Sequence, residues 1–508
     1  MTYDTEGKKI SVKKGVVIGG GIAGLVSASI LAARGYEVTL LEKQKTLGGK
    51  LQAMQLGDYQ FDFGPSTITM PWIFERVFRE AGKMIDPELC FIPLAVNSRN
   101  FFYNGTVIDL SADPDYMSEQ LASFSPENRQ GFLDYILEVQ RMYEIAEDHF
   151  FENPIINWQE LFSTRLMKAL FAVRPFQSMD AFHREYFDDP RLLAMMNRYA
   201  TYVGSSPYLT PAVLSLISYL EIVQGVYYVE GGNYRIIQSF ERLARSVGVH
   251  IQTECPVDEI MVKEQRVVGV RAGGQIWEAD FVVSNVDHRT TWENMLGSLQ
   301  QKKKTPPLSL SGYLCLFGIK QKYSHLHHHN LFFPEDYGRE FIDIFEQRKW
   351  SLSPAIYICN SSFSEPDRAK HGEGSNLYVL INVSANQEQI SDDYTMQYEK
   401  YREHVIYWLE HQWGLKGLSE SIEVEKIFGP TEIEEMSGAW RGAIYGPASH
   451  RMRAFFRPPI KERKIAGLYY AGGTTYPSGG TPMAVISGMN IAQIIERDHK
   501  QELQSVGT

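Results

Sequence analysis

What this chain has little of narrows its chemistry before any motif is found. Of its 508 residues only four are cysteine, at 90, 255, 315 and 359, far apart and without a C-x-x-C pair. That pattern supplies neither a disulfide framework nor a recognisable zinc site, and it suits a reducing compartment. Basic charge is also short: 50 Lys and Arg against 61 Asp and Glu leave a net charge of −11. No basic stripe relieves the deficit, so a nucleic-acid partner is not expected. Long apolar runs are scarce too. The nineteen uncharged residues after Lys13 and Lys14 superficially resemble a signal peptide or a membrane span, but they hold five glycines and stop at Arg34-Gly35 before a strand. The expectation is a cytoplasmic protein, or one peripheral on the inner membrane face, with no signal peptide or transmembrane helix. Its length exceeds what one core usually serves, which implies two domains or one elaborated by insertions.

What is present concentrates in residues 15–49. Val16, Val17 and Ile18 make a short apolar strand, after which Gly19, Gly21 and Gly24 fit G-x-G-x-x-G. In that fingerprint the first glycine makes a tight turn, the second lets backbone approach a pyrophosphate, and the third lets helix pack on strand. A helix over 25–33 turns the unpaired N–H groups and positive dipole end of its N-terminus to the phosphates. Residues 37–41 read as the second strand, and Glu42 at its end is placed to accept hydrogen bonds from an adenosine ribose. Strand, helix, strand and acid in this order make a dinucleotide site.

Beyond Glu42 stand Leu47-Gly48-Gly49-Lys50 and then, over 59–66, Tyr-Gln-Phe-Asp-Phe-Gly-Pro-Ser. Either stretch alone reads equally well as a plain turn or strand end. In phase with the fingerprint, they resemble FAD proteins of the amine oxidase and carotenoid desaturase superfamily, so FAD is the expected cofactor.

Further along, 72–82 has helical spacing with a glycine stop, and 101–110 is a hairpin turning at Asn104-Gly105. From about 111 to 220 the pattern is helical, with Pro126 at a helix start. Over 161–176 an apolar face has basic neighbours Arg165, Lys168 and Arg174, which suits either an anionic membrane surface or a core helix with solvated charges. Strands follow at 266–270 and 279–285, a charged linker at 302–307, and apolar strands at 308–319, 355–359 and 377–383. On a strand, His325, His327 and His329 share a face, yet no nearby Cys or carboxylate completes a ligand spacing, and no metal is expected. Residues 467–483 then run from a strand through a glycine-rich loop into a helix, a source of backbone N–H groups for a flavin or else a plain crossover.

The fingerprint with Glu42 and Gly48-Gly49, residues 61–66 and the 472–483 loop resemble the bacterial carotenoid desaturase family of FAD enzymes along essentially the whole chain. Within that family, residues 64–75, 202–206, 228–232 and 441–446, with Thr481-Pro482-Met483 and Ser487-Gly488, are similar to the branch that oxidises the terminal methyl of acyclic thirty-carbon carotenoids, the 4,4′-diaponeurosporene or diapolycopene oxygenases. The resemblance implies an α/β fold: a Rossmann-type FAD-binding domain with a parallel sheet, a second mixed-sheet substrate domain and a helical insertion, amine oxidase-like. It assigns 1–82, 221–300 and 438–508 to the FAD domain, 83–110 and 301–437 to the substrate domain, and 111–220 to a helical, membrane-facing lid. It implies FAD contacts at Gly19, Gly21, Gly24, Glu42, Gly48, Gly49, Lys50, Gly64, Pro65, Ser66, Val257, Gly472, Gly473, Pro482 and Met483.

For catalysis only Tyr476 and Glu230 suggest themselves. Many FAD enzymes carry an acidic residue where Gly473 stands, and relatives often have His where Tyr476 stands, so a histidine-based acid–base mechanism has no residue there. The implied substrate is a carotenoid drawn from a membrane surface. The alternatives are a phytoene- or diapophytoene-type desaturase, an amine or protoporphyrinogen oxidase, and a non-catalytic prenyl-lipid-binding protein on the same fold.

Overall fold

A computed structural model describes residues 12–124, 126–151, 164–297, 306–386 and 394–506. The apolar strand expected at 16–18 is Lys14–Ile18, and it lies at the centre of a five-stranded sheet. Across that sheet the order is Leu468–Tyr470, Phe281–Ser284, Lys14–Ile18, Glu37–Leu41, His250–Gln252, and every neighbouring pair is parallel. Strands buried on both faces need uniformly apolar sequence, which Val16-Val17-Ile18 and Phe281-Val282-Val283 supply. Helix Ile22–Ala33 is buried from Ile22 to Leu31 because it is covered by two others, Arg235–Ser246 and Thr481–Val506. The sheet therefore draws on both ends and the middle of the chain.

The second layer is a seven-stranded mixed sheet. Its order is Ile422–Phe428, Ser311–Ile319, Ser375–Val383, Ile356–Asn360, His329–Phe333, Ser98–Phe102, Val107–Leu110. All its pairs are antiparallel except His329–Phe333 with Ser98–Phe102. Ser98–Phe102 and Val107–Leu110 are the hairpin read from Asn104-Gly105, where Gly105 has φ +83° and the Asn104 side chain accepts from the Thr106 N–H. Strand Arg266–Ala272 departs from expectation: it leaves the parallel sheet and forms an antiparallel meander with Val257–Lys263 and Gln275–Glu278.

The chain that follows the hairpin is helical, with Pro126–Ala146 and Thr164–Ala172 among its elements. Residues 161–163 of the basic amphipathic stretch lie outside the described residues, as do 302–305 of the charged linker. Among the described residues no helix is long and apolar enough to cross a membrane. In the histidine run the strand begins only at His329, and residues 325–328 are turn and loop, so His325, His327 and His329 do not share a strand face. Asn330 is the cause, since its side chain accepts from the His327 N–H and donates to the His327 carbonyl, which folds that backbone away from a ladder.

Candidate functional site

The carboxyl ends of the parallel strands converge on one cavity of ≈ 550 Å³. That is where ligands bind in open α/β sheets, and the size falls within the ~300–1,000 Å³ of small-molecule sites. Its floor is backbone held open by glycines. Gly19 follows the first strand at φ +94°, and its N–H donates to the Leu41 carbonyl. A Cβ on Gly21 would lie 2.7 Å from Asn285 Nδ2, and one on Gly48 2.1 Å from the Leu51 carbonyl oxygen. At Gly64, φ is +105° and a Cβ would run into the Lys50 carbonyl. These loops are locked together by the Gly48 N–H donating to the Gly20 carbonyl.

Glu42 ends the second strand in the cavity wall at 5% exposure. One carboxylate oxygen accepts from the Gly20 N–H at 2.7 Å and the other from the Gln44 N–H at 2.8 Å. It therefore braces the glycine turn from inside the fold, a role the ribose expectation did not include. Lys50 also lines the cavity and donates to the Ile444 carbonyl. Loss of solvent around its ammonium lowers its pKa, Asp287 opposes that shift, and Arg457 adds to it. Asp287 is the reciprocal case: burial raises its carboxyl, and Lys50 pulls it back. Residues 285–287 follow the Phe281–Ser284 strand directly and all three line the cavity. Sequence reasoning missed them, although the carboxyl end of a parallel strand marks such residues.

Of the residues expected to touch the cofactor, Gly19, Gly21, Glu42, Gly48, Gly49, Lys50, Gly64, Pro65, Ser66, Val257, Gly472 and Gly473 all line this one cavity. Gly24, Pro482 and Met483 do not. Gly24 sits in the first helical turn, where a Cβ would lie 2.2 Å from the Gly19 carbonyl oxygen, so it serves close packing. Helix Thr481–Val506 presents Thr481 and Ala484 to the cavity. Positions three apart share a helical face, which leaves Pro482 buried and Met483 against the main core. Neither catalytic candidate reaches the cavity. Glu230 is exposed beside the Tyr227–Val229 strand, and Tyr476 packs on the main core.

The rest of the cavity is a different environment. Leu310, Leu314, Leu331, Ile356, Leu380 and Ile444 make it largely apolar. A polar strip crosses it through Ser66, Thr67, Arg198, Tyr202 and Tyr357. Ser66 Oγ and Tyr357 OH are 2.6 Å apart. Arg198, 6% exposed, donates to Tyr202 OH and to Glu221. Burial raises the phenol pKa of Tyr202 and Tyr357 well out of the neutral range, so both are hydrogen-bonding groups and not bases.

The wall fits a dinucleotide cofactor. Glycines clear space that any side chain would fill, the N-terminus of the Ile22–Ala33 helix opens on it, and Lys50 supplies positive charge. The Thr481 hydroxyl at the start of the C-terminal helix is buried without a partner among the described residues, a further donor for that wall.

Residues 22–495 match the family of flavin containing amine oxidoreductases. The chain is 32% identical to the 1-hydroxycarotenoid 3,4-desaturase of Flavobacterium sp. (strain P99-3), over 95% of this chain and 99% of that one. It is equally, 32%, identical to the 4,4′-diaponeurosporene oxygenase of Staphylococcus haemolyticus (strain JCSC1435), over 96% and 97%. Among solved structures, an oxidoreductase from Methanosarcina mazei superposes with a TM-score of 0.63 at 16% identity, covering 94% of this chain and all of that one. That likeness is one of fold.

Proposed function

Since the chain belongs to the flavin containing amine oxidoreductase family and is an FAD-dependent oxidoreductase, we propose that it oxidises acyclic carotenoids, converting the terminal methyl of a thirty-carbon polyene such as diaponeurosporene or diapolycopene to an aldehyde. The carrying observation is what lines this one cavity: glycine-rich backbone at the ends of the parallel strands together with apolar side chains of the mixed sheet, Leu314, Leu331, Ile356 and Leu380 among them. An amine or a porphyrin carboxylate gains little there, whereas a hydrocarbon chain loses water on every side.

FAD, when bound, supplies the two-electron acceptor. We assign its binding to the twelve expected residues that line the cavity, with Asn285, Asp287 and Thr481 added and Gly24 in support. The apolar residues orient the chain and exclude water, and Tyr202 and Ser66, the latter backed by Tyr357, offer donors to an oxygen arising at its end. Charge left on a methyl carbon by hydride loss spreads along the conjugated system, so no strong base is needed beside it. Balance over the whole change is R–CH₃ + O₂ → R–CHO + H₂O.

A carotenoid desaturase is the second reading, favoured by the equal identity to a hydroxycarotenoid desaturase. Product mass after incubation with diaponeurosporene under labelled dioxygen separates the two. A terminal aldehyde carrying label supports the first; loss of hydrogen pairs without oxygen overturns it in favour of the second.

Because such substrates reside in bilayers, we further propose docking on the cytoplasmic membrane face through Leu133, Leu137, Phe171 and Phe176. These four are exposed on or beside the helices Pro126–Ala146 and Thr164–Ala172. Anionic vesicles should sediment with the wild type and much less with a Phe171→Glu/Phe176→Glu variant; equal recovery removes this surface from the proposal.

A further inference from the structure

The histidine run, unused by the cavity, finds a partner that sequence spacing did not reveal. Antiparallel pairing of His329–Phe333 with Ile356–Asn360 sets Cys359 opposite His329. One ligand atom from each of His328, His329 and Cys359 then lies within 4.8 Å of the others. The three residues are 4%, 1% and 7% exposed. Both imidazoles are anchored through Nδ1, His328 to Ser364 Oγ at 2.7 Å and His329 to Tyr357 OH at 2.7 Å. The Nε2 of His329 is buried with no hydrogen-bond partner. Metal-binding histidines have this form, one nitrogen fixed by a neighbour and the other left for the ion. Beside Cys359 and His328 a space of ≈ 20 Å³ accommodates about one water.

The donor atoms decide which ion suits the place. Imidazole binds a metal as the neutral ring and cysteine as the thiolate. The carboxylates flanking the space, Asp62 and Glu365, already pair with Arg368 at 2.9 and 3.5 Å. Arg198, which also faces His329, is paired with Glu221 at 3.1 Å. Three donors among the described residues fall one short of the four that a closed structural zinc site takes. Thiolate with imidazole selects a soft ion, and copper(I) is the soft monovalent choice.

We propose that His328, His329 and Cys359 form a binding site for a soft monovalent ion, copper(I), held by two imidazole nitrogens and one thiolate. Binding replaces the S–H bond of Cys359 by S–Cu and releases one proton to solvent, with no change of oxidation state. Ligation at Nε2 also fixes the His329 tautomer. Its Nδ1–H donates to Tyr357 OH, which in turn donates to Ser66 in the cavity wall.

The test is an anaerobic titration of the flavin-loaded enzyme with copper(I) against a chromophoric copper(I) chelator. The wild type should withhold one equivalent and release one proton. X-ray absorption of that form should show two nitrogens and one sulfur. Cys359→Ser should lose the equivalent and Cys90→Ser, at the partly exposed thiol, should keep it. His329→Gln is the second variant where Cys359→Ser fails to retain flavin. Release of all copper by the wild type, an absorption spectrum without sulfur, full retention by Cys359→Ser, or tighter retention of zinc(II) each overturns the site. Binding is read without turnover, so its failure leaves the proposed reaction untouched.

Discussion

Gly24 shows how little room single residues have here. A Cβ at that position would sit 2.2 Å from the Gly19 carbonyl oxygen, and the offending atom is backbone, so the strand-to-helix turn itself must move. Overpacking of this kind costs about 1–3 kcal/mol, enough to weaken a ligand held by the turn roughly tenfold or more. Gly24→Val should therefore purify with much less flavin than wild type under equal FAD, read from the ratio of visible to ultraviolet absorbance. An unchanged ratio argues that the turn tolerates displacement. Such glycines are legible in sequence because their constraint is local: steric clearance within a few residues dictates the residue type. Arg198, Tyr202 and Tyr357 were not legible. Their place in one cavity comes from sheet register and helix packing across distant segments, and nothing in their own neighbourhoods announces it.

Among the elements, the contact between helices Ile22–Ala33 and Thr481–Val506 does most to shape the site. Gly488 lets them touch: a Cβ there would lie 2.7 Å from the Ala23 carbonyl oxygen and 2.8 Å from Val26 Cβ. Its neighbour Ser487 accepts the Gly472 N–H at 3.0 Å, tying the same helix to the glycine loop of the cavity. Gly488→Val should lower the thermal midpoint by a few degrees and reduce flavin content together, since one displacement moves both features. A lowered midpoint with full flavin content separates packing from the site. Both helices were readable from their glycine starts and apolar content. Which residues of the second face the cavity was not, because Pro482 and Met483 follow Thr481 in sequence but lie more than a quarter and more than half of a turn around the helix. For the histidine run the sequence left open whether it is strand, and it is the side chain of Asn330 that holds the backbone before His329 in a loop.

The molecule as a whole carries opposed buried titrations. His183 is fully enclosed, bonded through its ring nitrogens to Asn197 and Ser215, and burial pushes it down to about 4. His450 is lowered to about 4 by burial, Arg453 and Arg451. For groups depressed from 6.5, the contribution to stability is present above 6.5 and is lost as pH falls toward 4. Glu340 runs the other way. Burial raises it from 4.5 to about 7, so its contribution is present below 4.5 and is lost as pH rises through 7. Between pH 4.5 and 6.5 the histidines favour the higher pH and Glu340 the lower. Glu340→Gln, which keeps an acceptor for the Ala355 N–H, should steepen the loss of stability on acidification across that window. Urea midpoints at pH 4.5, 5.5, 6.5 and 7.5 for both proteins decide it, and parallel curves would refute the opposition. At this scale the two-layer plan was readable from alternating apolar strands and the returning C-terminal segment. The partition of strands was not, since Arg266–Ala272 is as apolar in pattern as a parallel-sheet member yet pairs with its sequence neighbours instead.

The cavity wall is drawn from Ile18 at one end of the chain and Ala484 at the other. A nascent chain still on the ribosome thus has the glycine turn in the open long before it has the strand Leu468–Tyr470 and the helix that close over it. Cofactor capture then waits for the helix Thr481–Val506, and a translation stall or premature stop ahead of Thr481 leaves an apolar hollow open to solvent.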